Sequence, residues 1–238
     1  MLTILSIAEI HSETENILNF IDWLSKNEKF DLIVFNGDLL GSSQDNEFIA
    51  ETILEILKSS NKPLITIPGN NDGKIFEIFK KHSIFLHNNF YIHNNVAFFG
   101  YGGAITPARS TSLEPSEQEL KVRLNSLYEK VKDYPIKVLV THMPPKNTRL
   151  DLVGSMHVGS EEIRNFILKN KINLAICAHI IEARGYDFLG NTVLINPGKF
   201  SEGNYAIIKI NDNGSIEFNL KNILAQKTKD LEKILNFL

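Results

Sequence analysis

Six short, largely apolar runs recur along the chain and restrict its architecture more than anything else in the sequence. They occupy residues 2–8, 31–36, 64–68, 96–100, 137–141 and 174–178. Each is too short for a buried helix and lacks the apolar–polar alternation of a half-exposed strand. They therefore read as strands covered on both faces. The stretches between them carry a different period. Ile17, Phe20, Ile21 and Leu24 fall at i, i+3, i+4 and i+7, so one stripe of a helix faces a core. Ile49, Ile53, Ile56 and Leu57 repeat the pattern over residues 48–58, and Leu120, Leu124, Leu127 and Val131 mark a longer helix. Ile163, Phe166 and Ile167 mark another, with Ser160 as its N-cap and Glu161 and Glu162 in the first turn. Such βαβ alternation predicts parallel strands with helices laid on them.

The pattern changes after Cys177. Residues 184–189 and 192–196 flank Gly190-Asn191, and residues 205–210 and 215–220 flank Asn211-Asp212-Asn213-Gly214. Both are hairpin signals. Antiparallel strands following βαβ units predict a second sheet packed on the first. No repeat or low-complexity linker interrupts the chain, so residues 1–238 read as a single domain. A helix over about 222–238 ends it, with Leu231, Ile234, Leu235 and Leu238 at helical spacing. That stripe packs on its own domain or forms a homo-oligomer contact. Residues 100–115, rich in Gly, Pro, Ser and Thr, read as a long functional loop.

Composition narrows the surroundings. With 238 residues, 43% of them hydrophobic, the chain can bury a sizeable core. A formal charge of −3 gives no nucleic-acid grip, although bound metal can supply local positive charge for a phosphate ester or nucleotide. Cys177 is the only cysteine and sits in an apolar run, which predicts a buried, inert thiol and an intracellular setting. Residues 2–8 have no basic residue before them and meet Glu9 and His11 at once, so they read as a strand and not a signal peptide. No apolar stretch is long enough to span a membrane. The expectation is a cytoplasmic protein without membrane partners.

Polar residues gather just beyond the carboxyl ends of these strands. Glu9 and His11 follow the first, Asp38 the second, and Asn70, Asn71 and Asp72 the third. His142 follows a later strand, and His179 ends Cys177-Ala178-His179. Ligands of open α/β sheets bind beyond these strand ends. Carboxylate, imidazole and amide donors converging there suit Mn, Fe or Zn, as one or two ions. Each residue alone has a plainer reading: Gly37-Asp38 as a turn, His142 as a core histidine, Asp72 as the cap of the next helix. It is the ordered set that argues for a site. His82, His87, His93 and His157 lack that placement and read as structural or surface residues.

In this order the motifs resemble the calcineurin-like metallophosphoesterases over roughly residues 1–200. That family's series is Asp-x-His, Gly-Asp, Gly-Asn-His-Asp or Glu, a lone His, then Gly-His-x-His. Residues 177–198, with Glu182-Ala183-Arg184-Gly185 and Asn196-Pro197-Gly198, resemble the branch called Icc-like or cyclic-nucleotide-phosphodiesterase-like. The resemblance implies an α/β/β/α sandwich of two mixed sheets flanked by helices. It also implies phosphodiester or phosphomonoester hydrolysis by metal-activated water. Asp38 matches the carboxylate bridging two metals, and Asn70, His142 and His179 match the remaining ligands of the second metal. The first metal would take Glu9, His11 and Asp38.

Several positions depart from the series. Ile181 stands where the fourth ligand of the first metal belongs, Glu9 replaces a shorter Asp, and Ala178 replaces a Gly. Asn71 occupies the position of the catalytic His, so Asn71 and Asp38 are the candidate catalytic residues. An amide donates a hydrogen bond to phosphate but supplies no proton near neutral pH, and losing general acid catalysis costs about 10²–10⁴-fold in rate. Two readings follow: a metal-dependent phosphoesterase weakened at Asn71 and Ile181, or an impaired relative that binds a phosphate ligand or a protein.

Overall fold

The computed structural model describes residues 1–41, 47–106 and 110–235, with side chains described through Lys229. In chain order the strands and helices begin with β1 (Leu2–Ile7), α1 (Ile17–Asn27), β2 (Leu32–Phe35), α2 (Glu47–Lys58) and β3 (Leu64–Thr66). There follow α3 (Phe76–His82), β4 (Ile84–Phe85), β5 (Asn89–His93), β6 (Val96–Tyr101) and α4 (Glu117–Val131). Next come β7 (Ile136–Thr141), β8 (Leu152–Val153), β9 (Met156–His157), α5 (Glu161–Lys169) and β10 (Leu174–Ile176). The last are β11 (Gly185–Leu189), β12 (Thr192–Asn196), β13 (Asn204–Ile210), β14 (Ile216–Asn222) and α6 (Ile223–Leu235).

Two six-stranded sheets result. The first runs β14-β13-β1-β2-β3-β4 and the second β11-β12-β10-β7-β6-β5. Both are mixed: β1 is parallel to β2 and antiparallel to β13, while β10 is parallel to β7 and β12, and β11 is antiparallel to β12.

Side-chain parity builds the layers, because alternate residues of a strand face opposite ways. In β1 and β2, Leu5, Ile7, Ile33 and Phe35 meet Phe20, Leu24, Ile53 and Leu57 of α1 and α2. Their neighbours Ile4, Leu32 and Val34 meet Phe98, Val138, Val140 and Ile176 of the other sheet. That sheet's outer face, with Phe99, Leu139 and Ala175, carries Leu124, Leu127 and Phe166 of α4 and α5. The order is helix, sheet, sheet, helix. Serine caps start the outer helices as the sequence predicts for α5: Ser116 accepts from the Glu119 N–H and Ser160 from the Ile163 N–H, each at 3.1 Å.

The late hairpins are placed differently from the sequence expectation. They do not make the second sheet between them. β11–β12 joins the edge of the second sheet, whereas β13–β14 returns to the first, with β13 zipped to β1 from Leu2↔Ile210 to Ser6↔Ala206. The second sheet is founded on β6 and β7, which lie much earlier in the chain. The helix expected near residues 222–238 is present as α6, but the side chains of Leu231, Ile234, Leu235 and Leu238 lie outside the described residues. Cys177 is buried just past β10. No helix among the described residues is long and apolar enough to cross a membrane.

Candidate metal centre

The parallel strands of both sheets end on one side, and the polar residues past those ends converge. Glu9 and His11 follow β1, Asp38 follows β2, Asn70 follows β3, His142 follows β7 and His179 follows β10. Donor atoms of Asp38, His142 and His179 all lie within 4.8 Å of one another, as do those of Glu9, His11 and Asp38. Asp38 belongs to both groups. Asn70 joins the first group through its Oδ1, 3.2 Å from His142 Nε2. All six sequence-predicted ligands thus stand in one cluster. Glu182 is exposed on the short 3₁₀ turn Ile181–Ala183 and belongs to neither group.

The backbone reaches these positions under strain. Glu9, His11, Asp38 and His179 have φ of 58°, 53°, 53° and 67°, the left-handed region that side-chain-bearing residues rarely adopt. Such conformations cost roughly 1–3 kcal/mol each and cluster at functional sites. The loops also approach one another closely. A Cβ on Gly69 would sit 2.0 Å from Asp38 Oδ1, and one on Gly37 would sit 2.6 Å from His142 Nδ1. Glycine is required at both.

Two residues outside the predicted ligand set hold the loops in register. Asp72 does not cap α3, which begins at Phe76. Its buried carboxylate instead accepts from the Gly69, Leu39 and Leu40 N–H groups at 2.8, 3.1 and 3.0 Å, tying the Asn70 loop to the Asp38 loop. Burial, then the charge of Asp38, push the Asp72 carboxyl up to about 7. Asn36 clamps the two sheets: its Nδ2 donates to Thr141 O at 2.9 Å, and His142 Nδ1 donates to Asn36 O at 2.8 Å. Asp72 had a sequence signal in the last position of the Gly-Asn-His-Asp motif. Asn36 had none.

The hydrogen bonding of the donor set shows its fit to cations. His142 directs both nitrogens at oxygens, and His11 Nε2 lies 2.7 Å from Glu9 Oε2 and 3.6 Å from Asp38 Oδ2. Lone pairs this close must share a proton or a cation. Without metal they share protons. The facing carboxylates of Asp38 and then Glu9, the latter hydrogen-bonded, raise His11 to about 10. Burial opposes a charge on His142, yet Asp38 and Glu9 raise it to about 9. Burial likewise opposes ionisation of Asp38, but His142 and His11 hold it well below the usual carboxylate range. Burial, reinforced by His142, lowers His179 to about 4, so it stays neutral. Carboxylate, imidazole and amide oxygen in this arrangement fit divalent cations. Because His142 Nδ1–H is committed to Asn36 O, Nε2 is the atom left to face a metal.

Asn71 sits over the shared carboxylate. Its Nδ2 donates to Asp38 Oδ2 at 2.9 Å and its backbone N–H to Asp38 Oδ1 at 3.1 Å. Leu113 N–H donates to Asn70 O at 2.9 Å; of the loop expected over residues 100–115, residues 107–109 lie outside the described residues.

Residues 2–183 match the calcineurin-like phosphoesterases. The chain belongs to that family. It is 32% identical over 173 residues to the uncharacterized protein MJ1162 of Methanocaldococcus jannaschii, covering 70% of this chain and 77% of that one. Among solved structures, TT1561 of Thermus thermophilus superposes with a TM-score of 0.75 at 22% identity, covering 93% of this chain and 98% of that chain. A dimetal phosphatase from Danio rerio gives 0.63 at 10% identity, again covering 93% and 98%. At such identities these two structures speak for the fold alone. Calcineurin-like phosphoesterases bind divalent metals and act as metal-dependent phosphoesterases.

Proposed function

We propose that this calcineurin-like protein hydrolyses phosphoesters with good leaving groups. Asp38, Asn70, His142 and His179 hold one divalent cation firmly, and Glu9, His11 and Asp38 hold a second more weakly. The observation carrying this reading is that the Asp38 carboxylate is common to both converging donor groups. Mn, Fe and Zn match the donors. When bound, such cations polarise a phosphoryl oxygen and lower the pKa of water enough to make it a nucleophile at neutral pH.

The chain's own residues set the selectivity. Asn36 orients His142, and Asp72 locks the Asp38 and Asn70 loops. The Asn71 amide, now on Asp38, is placed to donate to a phosphoryl oxygen, but it holds no proton to give a departing alkoxide. Esters whose leaving group departs unprotonated therefore suffer least. Ile181 leaves the Glu9 position one ligand short. In this reading residues 1–238 act as one cytoplasmic unit, since donors come from both sheets, and the substrate is a small phosphate ester or nucleotide.

The test is a leaving-group series of aryl and alkyl phosphomonoesters and diesters with each metal, together with metal analysis after dialysis. We expect nearer one than two equivalents of metal and a rate that falls steeply as leaving-group pKa rises. Asp38→Asn tolerates the left-handed backbone, yet should lower metal affinity and turnover by more than about 100-fold. Two equally tight metals, or unchanged turnover in that variant, would sink the assignment. Asn71 and Ile181 together also favour a second reading, an impaired phosphate- or protein-binding relative. That reading prevails if metal binds and no ester turns over.

A further inference from the structure

A second concavity opens between α3, the edge strand β4, the turn at Asn88 that leads into β5, and α4. It encloses about 580 Å³ and shares no lining residue with the Asp38 cluster. Its floor is aromatic. The His87 ring centroid lies 4.3 Å from Tyr101, 5.0 Å from Phe76 and 5.9 Å from Phe85. Phe76, Phe85 and His87 are only half-buried, so the rings support one another and leave surface to the cleft.

The rim is cationic. Lys80 and Arg123 line it and are exposed. Among the described residues Lys80 pairs with the exposed Glu77 alone, a pair worth little in water. Arg123 makes no ion pair among the described residues, and the Glu119 carboxylate one turn before it on α4 is occupied by the Tyr101 hydroxyl, which donates to it at 2.5 Å.

The floor also offers hydrogen bonds. His87 Nδ1 accepts from the Gly102 N–H at 3.0 Å, which puts the ring proton on Nε2. Burial holds this imidazole neutral, at about 4. Its Nε2–H and the side-chain amide of exposed Asn88, whose backbone N–H goes to Gly100 O, have no hydrogen-bond partner among the described residues. A ligand that uses all of this must be flat, carry acceptors on its edge, and bear an anionic group about one side chain away. An extended polyanion is disfavoured by the chain's net charge of −3.

We propose that this cleft binds a nucleotide, its base against the Phe76, Phe85, His87 and Tyr101 rings and its phosphate between Lys80 and Arg123. Stacking on aromatic faces and a charge-assisted bond to guanidinium are the two interactions such a ligand needs. The site is separate from the metal centre and stands whether or not the phosphoesterase reading holds.

The experiment is calorimetric titration of metal-free protein, in chelator, with AMP, adenosine and ribose 5-phosphate. AMP is expected to bind at least tenfold tighter than either fragment. Arg123→Glu and Lys80→Glu, both on exposed helix positions, should each weaken AMP at least tenfold with thermal midpoints unchanged. Asp38→Asn should leave AMP binding as it is. The proposal is overturned if AMP does not bind, or if it binds no better than a fragment. It is equally overturned if Asp38→Asn abolishes binding while Arg123→Glu retains it, because the ligand would then occupy the metal centre.

Discussion

Metal uptake by this protein should expel protons, and the number can be worked out. In the metal-free state His142 Nε2–H faces Asn70 Oδ1 at 3.2 Å, and the ring pKa stands at about 9. A cation at the Asp38, Asn70, His142 and His179 position must displace that proton. At pH 7 the displacement spans about two pK units, so apparent affinity is about 100-fold below its limiting value, on the order of 3 kcal/mol. Near one proton should leave per metal bound. A histidine with an ordinary pKa of 6.5 would release only about a quarter of a proton at pH 7. His179, held at about 4, contributes none. The assay is calorimetric titration with Mn or Zn in buffers of different ionisation enthalpy, from pH 6 to 8. Affinity should rise about tenfold per pH unit across that range. A flat affinity with no proton release would refute the reasoning, since it would mean that His142 is already neutral or is not a ligand. The weaker position should carry a larger proton penalty with the same slope, because His11 stands at about 10.

Stability should respond to the same two histidines. Their folded pKa values are raised, so their contribution is complete below pH 6.5 and is lost as pH rises through about 9 and 10. The metal-free thermal midpoint should fall between pH 7 and 10, and saturating metal should flatten the decline; a midpoint that rises would contradict it. Gly69→Ala should lower stability by about 1–3 kcal/mol and weaken metal binding, since its Cβ would lie 2.0 Å from Asp38 Oδ1; thermal melts and metal titration measure both. Asn71→His combined with Ile181→His should raise turnover on poor leaving groups by up to about 10²–10⁴-fold and move metal content toward two equivalents. A gain confined to the double variant would show the two positions acting as a unit. No gain on any ester would favour the impaired reading.

Much of the candidate site was legible before the fold. Glu9, His11, Asp38, Asn70, His142 and His179 each follow an apolar run, and a strand's carboxyl end is a position that local sequence can mark. The strands themselves are marked by unbroken apolar character, as in Leu32–Phe35 and Ile136–Thr141, both buried throughout. Shorter elements such as β4, β8 and β9 carry too few residues for any period to emerge. Asp72 reads in sequence as a cap, because a carboxylate beside a helix start looks like one until its three N–H partners are seen.

The sequence by itself determined the longer buried strands, most of the helices that lie on them, and which polar residues stand at the strand ends. Those properties depend on periodicity and on neighbours a few residues away. Only the tertiary structure decided where β13–β14 would go, because pairing β13 with β1 joins residues some two hundred positions apart in the chain. It alone brought Asp38 of one sheet to His142 of the other through the Asn36 clamp. It also assembled Phe76, His87, Tyr101 and Arg123 around one cleft. In the sequence His87 reads as a structural or surface residue, and no local pattern reports that its ring will lie against Tyr101 and Phe76.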